Sequence, residues 1–158
     1  MSTLEEQVVE MLAERGFTIT TAESCTGGLL SGRIVNVAGA SDVLNEAHVT
    51  YANEAKEHIL GVSHETLKQF GAVSHQTAKE MAEGAARTAH ADVALATTGI
   101  AGPGGGTPEK PVGLVYIGCY VNGNITTEEC HFAGDRSEVR NAAVKRALEL
   151  LLEQLKRG

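Results

Sequence analysis

This sequence contains no tryptophan, and only 4% of its 158 residues are aromatic. Any core must therefore be built from aliphatic side chains and alanine, and 42% hydrophobic residues suffice for one compact domain over residues 1–158. No apolar run approaches the roughly 18 residues that a membrane-spanning helix needs. The acidic, amphipathic N-terminus also lacks the basic start and apolar stretch of a signal peptide, so we expect no membrane partner.

Cysteine and positive charge are scarce as well. Cys25, Cys119 and Cys130 are odd in number and widely spaced, which favours a reduced cytoplasmic protein. The six histidines have no ligand spacing relative to them, so we expect no zinc site. A formal net charge of −7 without any block of Lys and Arg argues against a nucleic-acid partner. A small anionic ligand needs only one or two placed cations.

The common phosphate and hydrolase motifs are missing too. No glycine precedes a lysine, so there is no P-loop, and Thr107 stands where a dinucleotide-binding loop would need its third glycine. The segment around Ser24 does not match the G-x-S-x-G elbow of hydrolases. Any function must come from another arrangement of residues.

Apolar periodicity and turn residues predict an alternation of helices and strands. The first half of the chain is predicted to contain a helix ended by Gly16, a strand over 17–21, a helix over about 26–36 and a short strand over 48–51. Two short helices capped by Asn53 and Ser63 follow, and then a helix over 75–90 capped by Ser74. The rest is predicted to be a buried central strand over 93–98, a hairpin over 114–132 that turns at Asn122–Gly123, and a last helix with a capping box at Asp135 and Glu138. This order predicts an α/β fold, a three-layer α/β/α sandwich with a mixed β-sheet.

One loop concentrates the residues that shape a backbone. All three prolines and six of the 18 glycines lie between Gly99 and Gly113. Glycine permits close backbone approach and proline limits motion, so we expect a shaped ligand-binding loop at a strand end. The alternative is an ordinary connection rich in turns.

The segment TTAESCTGG, residues 20–28, places small polar side chains between a predicted strand and a predicted helix. A Ser24 hydroxyl at this junction would meet the positive end of the helix dipole and free backbone N–H groups, which suit a phosphate or an oxyanion. The alternative is that Ser24 or Thr26 only caps the helix. The glycines that follow weaken this alternative, because a cap alone does not need them.

Lys56 is the candidate base for a serine nucleophile. If Asn53 caps the following helix, Lys56 lies in its first turn, where the helix dipole disfavours a cation. Burial would lower its pKa further, and a neutral lysine can act as a general base. Tyr51 at the strand end could share the proton path with Ser24 and Lys56. The alternative is a solvated surface lysine.

Arg136 also falls at the unfavourable end of a helix, directly after the Asp135 cap. A bound anion there would reverse the effect, because the guanidinium and the helix N–H groups would both donate to it. The alternative is a local pair with Asp135 or Glu138.

Three further residues are weighed for the site. Thr98, at the end of the central strand, could hydrogen-bond a substrate amide or carbonyl, or simply end the strand. Cys25, beside Ser24, has no histidine nearby in the sequence, so we interpret it as a packed thiol rather than a nucleophile. Of the six scattered histidines, His48, beside the predicted short strand, is the one we single out.

Six segments together resemble one known family. They are AESCTGG (22–28), VTYANEAK (49–56), GAVS (71–74), TGIAGPGGG (98–106), KPVGLVY (110–116) and FAGDR (132–136). In this order they resemble the C-terminal domain family of the competence/damage-inducible protein CinA, in its stand-alone nicotinamide mononucleotide deamidase form. The resemblance covers nearly the whole chain. The N-terminal domain of two-domain members is not seen, so their pyrophosphatase activity is not expected here.

The resemblance implies hydrolysis of nicotinamide mononucleotide to nicotinic acid mononucleotide and ammonia, without a metal or other cofactor. It implies Ser24 as nucleophile, Lys56 as base and Tyr51 as an aid to proton transfer. The residues implied to bind the pyridine nucleotide are Thr26, Gly27, Thr98, Gly99, Ala101, Gly102, Gly105 and Arg136. A homo-oligomer is expected from the family.

Two other classes of function stay open from the sequence alone. In a non-catalytic, nucleotide-binding regulatory module, the same hydroxyls and glycines would only bind an anion, and Lys56 would stay protonated against a phosphate. In an assembly subunit, the Ala-rich helix 75–90 would pack against a second copy of itself.

Overall fold

The computed structural model describes residues 1–158, which form six α-helices and five β-strands. The helices are α1 (Leu4–Arg15), α2 (Leu29–Val35), α3 (Asn53–Leu60), α4 (His64–Phe70), α5 (His75–Ala89) and α6 (Arg136–Arg157), with a 3-10 turn over Ala40–Asp42. The strands are β1 (Ile19–Glu23), β2 (His48–Val49), β3 (Val93–Gly99), β4 (Leu114–Val121) and β5 (Asn124–His131). No helix combines the length with the apolar composition that crossing a membrane requires.

The strands form one mixed sheet in the order β2-β1-β3-β4-β5. Strand β1 runs parallel to β2 and β3, whereas β4 is antiparallel to β3 and β5. Helices α1, α2 and α6 cover one face of the sheet, and α3, α4 and α5 cover the other. This arrangement confirms the predicted three-layer sandwich, with β3 at its centre. The hairpin at Asn122–Gly123 is confirmed as well.

The two faces of the sheet are packed differently. The layer with α6 holds a large aliphatic cluster of 25 buried residues, whereas the layer with α5 is thinner and rich in alanine. Helix α5 approaches so closely that a Cβ on Gly118 of β4 would overlap the backbone of Ala78. The small-residue face of α5 is therefore used inside the molecule. Self-association through that face, one of the alternatives from the sequence, is wrong.

Several boundaries differ from the sequence prediction. Strand β1 begins at Ile19, and α2 begins at Leu29 rather than near residue 26, because residues 24–28 form a separate turn. The predicted Asn53 cap is wrong. Thr50 N–H donates to the Glu23 carbonyl and keeps the chain extended, so the helical bonds of α3 begin from Ala52, which has no capping side chain. The caps at Ser63, Ser74 and Asp135 are confirmed.

The topology brings three distant segments to one edge of the sheet. Strands β1, β2 and β3 are parallel, so their carboxyl ends lie side by side. Ser24 follows β1, Lys56 lies on the helix after β2, and Thr98 is near the end of β3. The glycine-rich loop that leaves β3 reaches the same edge.

Candidate active site

A pocket of about 280 Å³ lies at this edge of the sheet. Ser24, Tyr51, Lys56, Thr98 and Arg136 all line it, although they come from four separate segments of the chain. Lysine and arginine supply its only charged side chains, and no aspartate or glutamate contributes to the wall. The pocket is therefore suited to a neutral or anionic ligand.

The amine of Lys56 faces the hydroxyl of Ser24, with Nζ 3.1 Å from Oγ. Nζ also donates to two carbonyl oxygens, those of Thr50 at 2.9 Å and Tyr51 at 3.1 Å. A neutral amine has two hydrogens and one lone pair. When the two carbonyls accept both hydrogens, the lone pair is left for the Ser24 hydroxyl, which is the geometry a general base needs.

Burial favours the neutral form of this amine. Only 1% of Lys56 is exposed, and none of the ion pairs in the protein involves it. Loss of hydration disfavours the ammonium ion and lowers the pKa of Lys56 from 10.5 to about 8. The alternative of a solvated surface lysine is therefore wrong.

The turn after Ser24 is built around a buried carboxylate. Glu23 is fully buried and accepts hydrogen bonds from the N–H groups of Gly28, Leu30 and Ser31 and from the Thr26 hydroxyl. The backbone N–H groups at the start of α2 thus already donate to the Glu23 carboxylate. This corrects two expectations: the helix N–H groups are not free to hold a ligand, and neither Ser24 nor Thr26 is the cap.

Two predicted ligand-binding residues lie outside the pocket. The Thr26 side chain is fully buried between Glu23 and Thr97, and Gly27 is exposed on the far part of the turn.

The only backbone N–H groups of this turn that have no acceptor within the protein are those of Cys25 and Thr26. Of these two residues, Cys25 lines the pocket beside Ser24, and Thr26 follows it on the same turn.

Arg136 connects two walls of the pocket. Its Nη1 donates to the Gly102 carbonyl at 2.7 Å and its Nη2 to the Tyr51 hydroxyl at 3.2 Å. The alternative of a local pair with Asp135 or Glu138 is wrong, because these two side chains cap the start of α6 instead. The tyrosine hydroxyl has no hydrogen bond to Lys56, and Tyr51 reaches that amine only through its carbonyl.

The loop after β3 forms the opposite wall. Gly99, Ala101, Gly102 and Gly105 all line the pocket, and the N–H groups of the last three donate to no acceptor in the protein. Gly102 and Gly105 have φ values of 86° and 90°, in the left-handed region that favours glycine. Thr98 donates its hydroxyl hydrogen to the Ala72 carbonyl at 2.9 Å. Its oxygen keeps only acceptor capacity for a ligand.

The family model for the CinA C-terminal domain matches residues 1–155 of this chain. The chain belongs to the CinA C-terminal domain family. The CinA-like protein of Kosmotoga olearia is 56% identical over 152 residues, which are 96% of this chain and 37% of that protein. A putative competence-damage inducible protein of Clostridium novyi is 55% identical, over 97% of this chain and 37% of its own. The chain thus spans little more than a third of the length of these relatives.

Solved CinA structures have the same fold. A CinA superfamily protein of Klebsiella pneumoniae superimposes with a TM-score of 0.95 at 38% identity, over 98% of this chain and 97% of its own. The competence/damage inducible protein CihA of Agrobacterium tumefaciens gives a TM-score of 0.92 at 46% identity, over 99% of both chains. These matches confirm the family resemblance and the α/β fold.

Sequence reasoning missed two residues that organise this CinA site. Glu23 looks like an ordinary strand residue, and only the three-dimensional path shows that its carboxylate caps α2. Arg140 donates to the carbonyls of Cys25 and Thr26, at 2.9 and 3.1 Å. The signal that could have found Arg140 is its position four residues after Arg136, on the same side of a helix.

Two candidates remain, of which Cys25 lines the pocket and His48 does not. Burial raises the pKa of the Cys25 thiol to about 11, which fits the interpretation of a packed thiol. His48 bonds to the Thr21 carbonyl and to Glu46 and does not line the pocket. No group of three His, Cys, Asp or Glu side chains is arranged to hold a metal ion.

Proposed function

We propose that this CinA-family chain is an amidohydrolase that converts nicotinamide mononucleotide to nicotinic acid mononucleotide and ammonia. The observation that carries the proposal is the Lys56 amine, which has no counter-ion and lies 3.1 Å from the Ser24 hydroxyl inside a pocket. A serine hydroxyl is a weak nucleophile until a base takes its proton. A buried lysine of lowered pKa is such a base.

The proposed reaction follows acyl-transfer chemistry. Ser24 Oγ attacks the carboxamide carbon while Lys56 Nζ takes the hydroxyl proton, and the N–H groups of Cys25 and Thr26 stabilise the resulting oxyanion. Lys56 then gives this proton to the leaving nitrogen, so ammonia departs and an ester to Ser24 remains. Water attacks the ester with Lys56 again as base. The acid is released and Ser24 regains its proton.

The pocket wall supports an anionic nucleotide as the substrate class. Arg136 and the free N–H groups of Ala101, Gly102 and Gly105 are donors without a carboxylate competitor nearby. We propose that these groups bind the phosphate and ribose. The pyridine ring would then lie toward Ser24, Lys56 and Thr98.

The test is ammonia release from nicotinamide mononucleotide. We expect turnover by the wild type to resist a chelator, and Ser24→Ala and Lys56→Met to lower kcat at least about 10³-fold, as loss of a nucleophile or its base does in hydrolases. Ser31→Ala is the matched control. Its hydroxyl bonds to the Gly28 carbonyl outside the pocket, so its kcat should stay within twofold of the wild type.

Three outcomes would contradict the proposal. Near-normal turnover by Ser24→Ala excludes the serine as nucleophile. Activity abolished by chelator excludes a metal-free mechanism. Tight binding of the mononucleotide by a wild type that releases no ammonia would instead favour the non-catalytic, nucleotide-binding module.

A further inference from the structure

We propose that Arg140 is a positioning residue that holds the turn after Ser24 and orients the Thr26 N–H, one of the two groups proposed to bind the oxyanion. This inference rests on the proposed function, because it assigns a role in stabilising the oxyanion of an acyl-transfer step. Arg140 lies on α6, one turn after Arg136, and does not line the pocket. Its effect on the reaction must therefore act through the backbone of residues 25–27.

The Arg140 guanidinium donates hydrogen bonds to that backbone. Nε donates to the Cys25 carbonyl at 2.9 Å and Nη2 to the Thr26 carbonyl at 3.1 Å. None of the ion pairs in the protein involves Arg140, so no carboxylate competes for its donors. A planar guanidinium that binds two successive carbonyls fixes the orientation of both peptide groups.

Because a peptide unit is planar, fixing the direction of its carbonyl also fixes the direction of its N–H group. The Cys25–Thr26 and Thr26–Gly27 bonds are trans, so each N–H points away from the carbonyl of its own peptide unit. With both carbonyls facing Arg140, the N–H groups of Thr26 and Gly27 face the opposite side. Gly27 N–H already donates to the Ser24 carbonyl at 3.1 Å, so of these two N–H groups only that of Thr26 is without an acceptor in the protein.

Glu23 holds the same turn from within the core. It accepts the Thr26 hydroxyl and the N–H groups of Gly28, Leu30 and Ser31, but it leaves those of Cys25 and Thr26 free. The turn is thus fixed from two sides by an anion and a cation, and its two remaining donors have no partner in the protein. The positive charge of Arg140 on the Cys25 carbonyl also polarises the peptide unit that carries the Thr26 N–H.

The test compares kcat and KM of Arg140→Met with those of Arg136→Met, using nicotinamide mononucleotide. Loss of a donor aimed at the transition state lowers kcat with little change in KM, whereas loss of a ligand-binding cation raises KM. We expect Arg140→Met to lower kcat about 10²-fold, the lower end of what removing an oxyanion donor costs. Its KM should stay within threefold of the wild type, while Arg136→Met raises KM.

Arg146→Met is the control for a merely structural role. Arg146 lies on the same helix and pairs with Glu128 and Glu153, away from the pocket, so its loss should reduce stability while kcat stays near wild type.

As a second measurement, guanidinium ion at millimolar concentration should restore part of the kcat of Arg140→Ala. Arg140→Lys, which keeps the charge but lacks the planar pair of donors, should fall between Met and wild type.

The outcomes separate this inference from the proposed function. If the wild type and Arg140→Met release ammonia with kcat values within threefold of each other, the positioning role is wrong and the amidohydrolase stands. If Arg140→Met and Arg146→Met lose kcat in proportion to their loss of stability, the role is structural and the inference is wrong. If the wild type releases no ammonia, the proposed function fails, and the oxyanion role fails with it.

Discussion

At the scale of single residues, the site depends on a lysine that is buried without a counter-ion. Two backbone carbonyls and one hydroxyl surround the Lys56 amine, and no carboxylate stabilises its charge. Dehydration is therefore the dominant influence on its pKa. The same residue beside a glutamate would stay an ammonium ion and could not accept a proton from serine.

The pH dependence of turnover follows from this burial. Because the proposed base Lys56 must be neutral and its pKa is about 8, we expect kcat/KM of the wild type for nicotinamide mononucleotide to rise tenfold per pH unit below pH 8 and to level off above it. Ammonia release between pH 6 and pH 10 measures the profile. A rate that stays constant from pH 6 to pH 9 would show that Lys56 is not the titrating base.

At the scale of elements, the position of Lys56 is set by the packing of α3 against α5. Gly84 on α5 lies directly beneath the C-terminal end of α3, where an added Cβ would overlap the carbonyl of Leu60. Leu60 is one turn beyond Lys56 on the same helix. The absence of a side chain at Gly84 therefore allows α3 to approach α5 closely, in the position where the amine reaches Ser24.

A pair of glycine substitutions tests this contact. Gly84→Ala should lower the free energy of unfolding by about 1–3 kcal/mol through overpacking, and should reduce kcat because α3 is displaced. Gly32→Ala is the matched control, because Gly32 is exposed within α2 and has open space around it. That change should raise stability by about 0.5–1 kcal/mol. Urea unfolding measures the free energy of unfolding of both variants. An unchanged value for Gly84→Ala would refute the close-packing argument.

At the scale of the whole molecule, the fold holds a titratable amine in its interior at a cost in stability. In the unfolded chain Lys56 has its ordinary pKa of 10.5, whereas in the folded protein its pKa is about 8. Between these two values the unfolded state binds more protons than the folded state. The free energy of unfolding therefore rises with pH in this window.

The variant Lys56→Met isolates this contribution, since other groups titrate alike in both proteins. Each pH unit between the two pKa values is worth about 1.4 kcal/mol. Relative to Lys56→Met, the wild type should gain roughly 3 kcal/mol in its free energy of unfolding between pH 8 and pH 10.5. Urea unfolding of both proteins at several pH values gives the difference. Parallel curves for the two proteins would mean that Lys56 has an ordinary pKa in the folded state.

Much of this protein is determined by local sequence. Helical periodicity, the Asn122–Gly123 turn and the caps at Ser74 and Asp135 predict the elements and their order, because each signal acts over a few neighbouring residues. Those signals also predict the sheet and the loop at its edge. They failed at Asn53, where pairing of the preceding segment with β1 moved the start of the helix.

The tertiary structure decided what the local signals leave open. Whether Lys56 is solvated or buried depends on how closely α3 packs, and a cap for α2 had to come from Glu23, whose carboxylate lies under the helix only after folding. The contact of Arg140 with the turn joins residues more than 100 positions apart. Charge, hydration and hydrogen-bond direction depend on such distant neighbours, and no short stretch of sequence contains them.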